Sequence, residues 1–388
     1  MKNISILGST GSIGKSLLKI ISKNSKEFKI DLLTTNKNYK LLLRQAKKFN
    51  VKNLIICNED TYTKVVKKYK KKNNKIKFYK DFNSFEKIFK KKNDYIMCAI
   101  SGIEGLKPTY NSIKYTKNIA IANKEAIVCG WKILKNEMKK FKTNFIPVDS
   151  EHFSIWYGIK NINKSKIENI YLTASGGPFL NVPNNKIDKL KISDALKHPN
   201  WKMGKKISID SATMMNKVLE IIEARNIFEI ELNKLKIITH PDSYLHALIK
   251  FNNGIIKFMA HDTTMEIPIF NSIYGNTSKS IKSKKINFEK LNNLNLKKID
   301  QNKFPMIKLL NIINNKNTLF ETIIVSANDQ LVNFYLQKKI KFSQITDFLF
   351  NFLNKSEFKI YKKLKPNNIK QIVNLNNYVR FKLKEMII

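Results

Sequence analysis

Short apolar runs alternate with amphipathic stretches along the first 149 residues of this 388-residue chain. The first cycle is an apolar run at 4–7, an amphipathic stretch that carries Leu17, Leu18 and Ile21, and a second run at 30–33. Further apolar runs lie at 54–56, 95–97, 119–122 and 145–148. Strands and helices that take turns are typical of a parallel sheet with helices on both faces. We therefore predict an α/β domain with a doubly wound parallel sheet over residues 1–149.

The pattern changes near residue 150 and again near residue 276. Between 150 and 275, Gly, Pro, Ser and Trp become more frequent, which predicts a central α+β catalytic domain with a flexible loop. Residues 276–300 are rich in Lys and Asn without clear periodicity and predict a linker. Residues 301–388 predict a C-terminal helical bundle. Its four stretches with helical periodicity are 304–313, 319–336, 342–353 and 369–386.

Composition excludes several classes of protein. No apolar run approaches the ~20 residues that cross a bilayer, and the glycines near the N-terminus interrupt what could otherwise resemble a signal peptide. Cys57, Cys98 and Cys129 are few, odd in number and far apart, which argues against a disulfide framework and against a zinc cluster. The sequence therefore predicts a cytoplasmic protein without a membrane segment.

The formal net charge of +42 is the feature that most favours a nucleic-acid partner. However, Lys, Asn and Ile are over-used along the whole chain, including the tracts 70–72 and 314–317, so the surplus is not confined to one face. We interpret the charge as compositional drift and predict no specific nucleic-acid binding. A basic nucleic-acid-binding protein that has lost catalysis remains the alternative.

Gly8, Gly11 and Gly14 follow the first predicted strand and open the first predicted helix. Backbone N–H groups at such a helix start can hold the pyrophosphate of a dinucleotide, which indicates a Rossmann-type site, although the spacing departs from G-x-G-x-x-G. After the second strand, where NAD-binding proteins carry an acidic residue, this chain has Lys37 between two asparagines. A cation attracts the 2′-phosphate of NADPH, so we predict NADPH rather than NADH. The alternative is a surface turn whose lysine reflects only the composition.

Carboxylates in the middle of the chain predict a metal site. Asp149 and Glu151 follow the last strand of the first domain, and residues two apart on an extended chain point to the same side. A later segment is helical by pattern, with Asn216 and Glu220 one turn apart on its polar face. Three carboxylates without a Cys or His cluster suit Mg²⁺ or Mn²⁺. The alternative is that the first two are loop carboxylates and Glu220 pairs with a neighbour such as Arg225.

Residues 210–213 precede that helix and carry hydroxyl groups. Hydroxyls and free N–H groups at a positive helix end stabilise a substrate phosphate. A simple N-cap by Ser or Thr is the alternative reading of this segment.

Several motifs together resemble those of the 1-deoxy-D-xylulose 5-phosphate reductoisomerase family. They are residues 8–14, 122–125, 147–152, 175–179, 198–204 and 210–217 followed by Glu220. The resemblance spans essentially the whole chain and is weaker in the helical tail. It implies NADPH-dependent conversion of 1-deoxy-D-xylulose 5-phosphate to 2-C-methyl-D-erythritol 4-phosphate, in the non-mevalonate isoprenoid pathway. It also implies a metal-assisted retro-aldol/aldol rearrangement followed by hydride transfer, performed by a homodimer.

The resemblance also assigns individual residues. The metal, Mg²⁺ or Mn²⁺ with Co²⁺ as a further option, would be held by Asp149, Glu151 and Glu220, which together with Lys124 form the catalytic group. NADPH would be contacted by Thr10, Gly11, Ser12, Ile13, Asn36, Lys37, Asn38, Asn123, Glu125 and Gly204. The phosphorylated sugar would be held by Lys124, Ser150, Glu151, Ser175, His198, Ser211, Asn216, Lys217 and Glu220. Of these, the phosphate would be bound by Ser175, Ser211, Asn216 and Lys217.

Two further residues, Trp201 and Met203, would belong to a loop that closes over the site, whereas His246 reads as a structural histidine. The chain departs from the family pattern where it has Asn36 and Val218 in place of glycines. Asn tolerates positive φ better than most residues and so could keep the turn. Another Rossmann-type dehydrogenase, acting for example on a semialdehyde or on homoserine, is the main enzymatic alternative, but it would leave the three carboxylates without a role.

Overall fold

The computed structural model describes residues 1–69, 75–201, 203–275 and 277–387. The chain divides into two compact units. Unit 1 comprises Met1–Ala126, Leu134–Asp149 and Met265–Ile281, and unit 2 comprises Ile127–Ile133, Ser150–Thr264 and Lys282–Ile388. The lysine tract 70–72, the first residue of the predicted linker, Asn276, and the last residue of the predicted bundle, Ile388, lie outside the described residues.

Unit 1 is built on a sheet of seven parallel strands. The strands are β1 (Lys2–Leu7), β2 (Phe28–Thr35), β3 (Asn53–Ile56), β4 (Lys77–Tyr79), β5 (Tyr95–Cys98), β6 (Asn118–Ile121) and β7 (Asn144–Pro147). Their order is β4-β3-β2-β1-β5-β6-β7, so the direction of winding reverses between β1 and β5. Ligands of such sheets bind at the carboxyl ends of the strands beside this reversal. The predicted doubly wound sheet is confirmed.

The helices of unit 1 are numbered in chain order over both units; the first six connect these strands, whereas the last comes much later in the chain. They are α1 (Ser12–Lys23), α2 (Tyr39–Phe49), α3 (Glu59–Tyr69), α4 (Phe85–Ile88), α5 (Leu106–Ile113), α6 (Lys124–Phe141) and α12 (Glu266–Tyr274). Leu17, Leu18 and Ile21, which predicted α1, are all buried in the core of the unit. The late helix α12 belongs to the same core, since the ring of Tyr274 meets that of Phe28 edge to face at 5.7 Å.

Unit 2 contains a five-stranded mixed sheet and the other α-helices of the described residues. The strands are β8 (Ile167–Ala174), β9 (Leu235–Thr239), β10 (Leu245–Phe251), β11 (Ile256–Ala260) and β12 (Lys297–Lys298), in the order β11-β10-β8-β9-β12. Only β8 and β9 pair in parallel. The helices are α7 (Ser150–Gly158), α8 (Asn184–Ile187), α9 (Ile192–Ala195), α10 (Lys205–Ala212), α11 (Met215–Phe228), α13 (Phe288–Asn292), α14 (Phe320–Leu336), α15 (Phe342–Leu353) and α16 (Ile369–Ile387).

The C-terminal part of unit 2 follows the predicted periodicity closely. Three of the four predicted stretches form α14, α15 and α16, whereas the first forms a 3-10 helix, Pro305–Ile312. Met306 and Leu309 are both fully buried, and residues three apart share one face of a 3-10 helix. The predicted linker contains α13 and the edge strand β12. None of the helices in the described part of the chain is both long and apolar enough to span a bilayer.

Candidate active site

The glycine turn after β1 requires glycine at two positions. Gly8 has a φ of +87°, and a Cβ atom there would lie 2.6 Å from the carbonyl oxygen of Ala99. A Cβ atom on Gly14 would lie 2.5 Å from the Cα atom of Ser9. The chain therefore passes close to itself before α1 begins at Ser12, and the exposed start of α1 presents backbone N–H groups at the carboxyl end of β1.

The predicted NADPH residues of this region lie together at the ends of β1 and β2. The hydroxyl groups of Thr10 and Thr35 form a hydrogen bond of 2.7 Å, which connects the glycine turn to the end of β2. Of the three residues that follow β2, Asn38 has a structural role, because its Oδ1 accepts a hydrogen bond from the N–H of Leu41 and caps α2. Lys37 is exposed and, within the described residues, pairs with no carboxylate.

Asn36 was expected to keep its turn by tolerating positive φ. The structure contradicts this, because Asn36 is not among the residues with positive φ. An ordinary side chain fits there without backbone strain. The second departure from the family pattern, Val218, is fully buried within α11, where its side chain packs in the interior.

Asn123 and Lys124 lie where α6 begins. Asn123 is buried; its Oδ1 accepts from the N–H of Ala126 at 2.7 Å, and its Nδ2 donates to the carbonyl of Gly102 at 2.8 Å. These bonds cap α6 and hold the loop after β5, so the amide of Asn123 has a structural use in this protein. Lys124 Nζ lies 3.4 Å from Asp149 Oδ2, which places a cation beside one of the predicted metal ligands. Glu125, the next predicted NADPH residue, is also buried.

In unit 2, α7 and α11 bring two of the predicted ligands to one point. The predicted extended conformation of residues 149–151 is wrong, because α7 begins at Ser150 and Glu151 lies in its first turn. Lys217 Nζ lies 3.0 Å from Glu151 Oε1 and also donates to Glu220 Oε2. Asn216 donates to the other oxygen of Glu220, as expected for residues one helical turn apart. A buried lysine thus bridges two carboxylates.

Asp149 is peptide-bonded to Ser150 and so adjoins this cluster through the chain itself. Oxygens of Asp149, Glu151 and Glu220 lie within 4.8 Å of one another. Burial alone would lower the pKa of Lys217, but its ion pairs with the two glutamates outweigh burial and hold that pKa above its usual value. Carboxylates this close repel one another when ionised, a cation between them relieves that repulsion, and an oxygen-only donor set fits Mg²⁺ or Mn²⁺.

The alternative pairing of Glu220 with Arg225 is contradicted. Arg225 Nη2 lies 2.7 Å from Glu321 Oε1, and both side chains are buried. Five residues along an α-helix correspond to a rotation of about 140° relative to the starting side chain, so Glu220 and Arg225 point in different directions. Glu220 therefore faces Asn216 and Lys217, and Arg225 joins α11 to α14.

Ser175 and His198 form a hydrogen-bonded pair near the end of β8. The Nδ1 atom of His198 accepts from the backbone N–H groups of Asn200 and Trp201, at 3.2 and 3.0 Å. The ring proton must then sit on Nε2, which donates to Ser175 Oγ at 2.9 Å. Ser175 Oγ also accepts from Gly177 N–H at 3.2 Å, so its own hydroxyl proton remains for a ligand. Burial lowers the pKa of His198 to about 4, which keeps the ring neutral near pH 7.

The segment 210–213 was expected to precede the helix of Glu220, with its hydroxyls at the positive helix end or as a simple N-cap. Instead its first three residues form the last turn of α10, and the N-cap position of α11 is Met214, with a φ of +67°. Ser211 is close to the loop of Ser175, because a Cβ atom on Gly177 would lie 2.7 Å from the carbonyl oxygen of Ser211. Gly204 precedes α10 in an exposed position where a Cβ atom would meet nothing within 4 Å.

Further histidines lie in unit 2, and the sequence assigned no role to His152 and His261. His152, from the same motif as Asp149, is fully buried, and its Nε2 bonds the backbone carbonyl of Glu220 at 2.9 Å. His246 stacks on His261 with ring centroids 3.8 Å apart and meets the edge of Trp201 at 6.3 Å. The position of His152 beside the acidic pair was the only signal in the sequence for its supporting role.

These features together define a class of protein. A doubly wound sheet with a glycine turn at its switch point, together with a carboxylate–lysine cluster and a serine–histidine pair, defines a dinucleotide-dependent oxidoreductase with a site for a hard cation. Profiles of 1-deoxy-D-xylulose 5-phosphate reductoisomerase match residues 4–130, and profiles of its C-terminal domains match residues 145–228 and 261–382. The chain belongs to the 1-deoxy-D-xylulose 5-phosphate reductoisomerase family.

Individual relatives are similar to this chain over at least 92% of its length. The reductoisomerase of Pelagibacter ubique is 58% identical over 100% of both chains, and that of a Sulfurihydrogenibium species is 36% identical over 92% of both chains. The solved structure of the Zymomonas mobilis reductoisomerase in complex with NADPH matches with a TM-score of 0.87 and 29% identity, covering 100% of this chain and 99% of that one. A reductoisomerase in complex with NADPH, fosmidomycin and magnesium matches with a TM-score of 0.92 and 28% identity, covering 100% and 98%.

Proposed function

We propose that this protein catalyses the NADPH-dependent conversion of 1-deoxy-D-xylulose 5-phosphate to 2-C-methyl-D-erythritol 4-phosphate. The observation that carries the proposal is the cluster in which buried Lys217 bridges half-buried Glu151 and buried Glu220, beside half-buried Asp149. Buried carboxylates are costly without a function or a partner, and the family in which this chain falls acts on a phosphorylated sugar. The cluster supplies both kinds of charge that such a substrate and a metal ion require.

We assign NADPH to residues 1–149, catalysis and substrate binding to residues 150–275, and a supporting role to the helical residues 301–388 after the linker 276–300. The start of α1 would receive the pyrophosphate, and the exposed cation of Lys37 would attract the 2′-phosphate. Thr10, Gly11, Ser12 and Ile13 line the turn that would carry the cofactor. The Zymomonas mobilis relative that matches over the full length is described with NADPH, which supports this choice of cofactor.

The metal would be held by Asp149, Glu151 and Glu220. When bound, the divalent ion would act as a Lewis acid on the substrate's oxygens, and NADPH would supply the hydride. Lys124 places a further positive charge beside Asp149, where it would stabilise negative charge on the substrate. The solved relative with magnesium and fosmidomycin supports a magnesium-dependent site.

The phosphate of the substrate would be bound by Ser175, Ser211, Asn216 and Lys217. Neutral His198 fixes the direction of the Ser175 hydroxyl, since it donates to the serine oxygen and leaves the hydroxyl proton to point at a ligand. Trp201 would close over the substrate and exclude water. The backbone N–H of Trp201 donates to Nδ1 of His198. His198 therefore contacts both the loop of Trp201 and the proposed phosphate ligand Ser175.

Consumption of NADPH tests the proposed function. NADPH absorbance is followed with 1-deoxy-D-xylulose 5-phosphate in the presence of Mg²⁺ or Mn²⁺, with a chelator in a parallel sample. Metal-dependent loss of NADPH with formation of 2-C-methyl-D-erythritol 4-phosphate is expected, and NADH is expected to be a poorer donor. Purified, folded protein that oxidises no NADPH under these conditions would refute the proposal.

We further propose a homodimer in which β11 of each protomer pairs with a second copy of the chain. β11 is one of the two edge strands of its sheet, and its side chains Ile256 and Phe258 are 47% and 52% exposed. An exposed apolar edge strand is a template for pairing with another chain. Light scattering of the variant Phe258→Lys is expected to give the mass of a monomer. The control variant Phe381→Lys, changed at an exposed position on α16, should give the mass of a dimer. A dimeric Phe258→Lys variant would contradict this interface.

We place the enzyme in the cytoplasm, where a reducing environment suits three cysteines that are all free thiols. We also maintain that the charge of +42 serves no specific nucleic acid. Tight, saturable binding in a gel shift at physiological salt would contradict that statement.

A further inference from the structure

Asp210 is a fully buried carboxylate that the proposed chemistry does not use. It lies in the last turn of α10, next to Ser211. One of its oxygens accepts a hydrogen bond from Asn328 Nδ2 at 2.8 Å, and the other lies 3.0 Å from Lys206 Nζ, one helical turn earlier. Asn328 belongs to α14, so Asp210 connects the end of α10 to the C-terminal helices.

The connection continues as an alternating chain of charges. Lys206 Nζ also lies 2.9 Å from Asp329 Oδ1, and the second oxygen of Asp329 lies 3.2 Å from Arg380 Nη2. Arg380 belongs to α16, and its Nε donates to Asn376 Oδ1 at 2.9 Å. Two carboxylates and two cations thus join three helices of unit 2, and the chain of charges ends beside Ser211.

Packing alone does not explain these charges. A buried ion pair stabilises a fold no better than apolar side chains of the same volume. Its directional contacts instead specify one arrangement of the helices that it joins. Asp210 and Ser211 are adjacent, so about 100° of helical rotation separates their side chains. When Asp210 is fixed against α14, the Cα–Cβ direction of Ser211 is fixed as well, which limits the positions that its hydroxyl can take.

We propose that Asp210 is a positioning residue for the substrate phosphate, held by Lys206, Asp329 and Arg380, so that the C-terminal helices set the position of Ser211. The inference rests on the proposed function, because it takes Ser211 as a phosphate ligand. It assigns the C-terminal helical region a part in phosphate recognition.

The variant Asp210→Asn keeps the shape of the side chain and can still accept from Asn328, but it removes the charge that faces Lys206. KM for 1-deoxy-D-xylulose 5-phosphate is expected to rise about tenfold with little change in kcat, because misplacement of a binding group by a fraction of an ångström weakens recognition by such factors. KM for NADPH should stay unchanged. The preference for this substrate over unphosphorylated 1-deoxy-D-xylulose, measured as the ratio of kcat/KM, should fall by the same factor.

Asp188→Asn is the matched control. Both oxygens of Asp188 accept bonds from Ser343, at 2.9 and 2.6 Å, on an exposed part of the same unit, so this variant should keep the wild-type preference. Arg380→Gln, at the far and partly exposed end of the chain of charges, should shift the preference in the same direction by about threefold if position is transmitted as proposed. It also keeps the test informative should Asp210→Asn fail to fold.

Titration calorimetry with inorganic phosphate separates this inference from the proposed function. The wild-type protein is expected to bind phosphate about ten times more tightly than folded Asp210→Asn, and this holds whether or not the protein turns over the sugar. A wild type that is inactive on 1-deoxy-D-xylulose 5-phosphate would refute the proposed function alone. Equal phosphate affinity of the two proteins, or equal losses on the phosphorylated and unphosphorylated sugars, would overturn the role of Asp210.

Discussion

Replacement of Lys217 by methionine tests the central cluster most directly. Methionine retains the length and apolar stem of lysine and removes only the charged end. Lys217 is 4% exposed and neutralises Glu151 and Glu220, so the variant leaves buried Glu220 and half-buried Glu151 without this partner. Removal of one member of a buried ion pair costs about 3–5 kcal/mol. In the presence of a chelator, we expect Lys217→Met to unfold with a Tm lowered by ~10 °C.

Addition of Mn²⁺ should then affect the two proteins differently. In the wild type, a divalent ion competes with the ammonium group of Lys217 for the same carboxylate oxygens. In Lys217→Met this competition is gone, so Mn²⁺ should raise the Tm of the variant more than that of the wild type.

Differential scanning calorimetry with chelator and with excess Mn²⁺ measures both effects. Lys250→Met is the control, because Lys250 pairs with Glu168 at 2.7 Å on the surface, and such pairs contribute at most about 1 kcal/mol. Wild-type stability of Lys217→Met in chelator, or the same Mn²⁺-induced rise in Tm for both proteins, would refute the reasoning.

Three further outcomes are expected. Glu220→Gln should abolish turnover, with at least a thousandfold lower kcat and an unchanged circular dichroism spectrum; near-normal activity would exclude Glu220 as a metal ligand. Burial lowers the pKa of His198 to about 4, below its usual value near 6.5. The unfolded chain therefore binds more protons between these values, and unfolding midpoints in urea should fall as the pH drops from about 6.5 to 4, less so in His198→Asn. Gly8→Ala should weaken NADPH binding measured by fluorescence titration at least tenfold, because the new Cβ atom would collide with the backbone of Ala99; affinity equal to that of the wild type would contradict the tight turn.

Hydrophobic periodicity was sufficient to predict most strands of the parallel sheet and three of the C-terminal helices, whereas the individual strands β8–β11 of the central region were not predicted. Each apolar run of the N-terminal region forms a strand, because strands buried on both faces read as continuous apolar segments. β4 was missed, since it has only three residues, none of them fully buried. The short edge strand β12 was missed for a similar reason: its two exposed lysines carry no apolar signal.

The site was predicted less completely than the fold. Helical spacing correctly placed Asn216 beside Glu220, because both lie on one element. The bridge from Lys217 to Glu151 joins residues far apart in sequence, and no local pattern predicts such a contact. The chain of charges from Asp210 was missed as well, since in a lysine-rich sequence the partners of a single aspartate cannot be distinguished from solvated surface charges.

The composition of unit 1 has a consequence for the synthesis of the protein. Residues 1–149 already contain all seven strands, yet α12, whose Ile269, Phe270 and Tyr274 complete the same core, is translated more than a hundred residues later. A nascent chain that stops before Met265 leaves that part of the core uncovered, with the hydroxyl of Tyr95 lacking its bond to Ser272. Unit 1 therefore cannot complete its core until α12 has been synthesised. During that interval its uncovered apolar surface is available to chaperones.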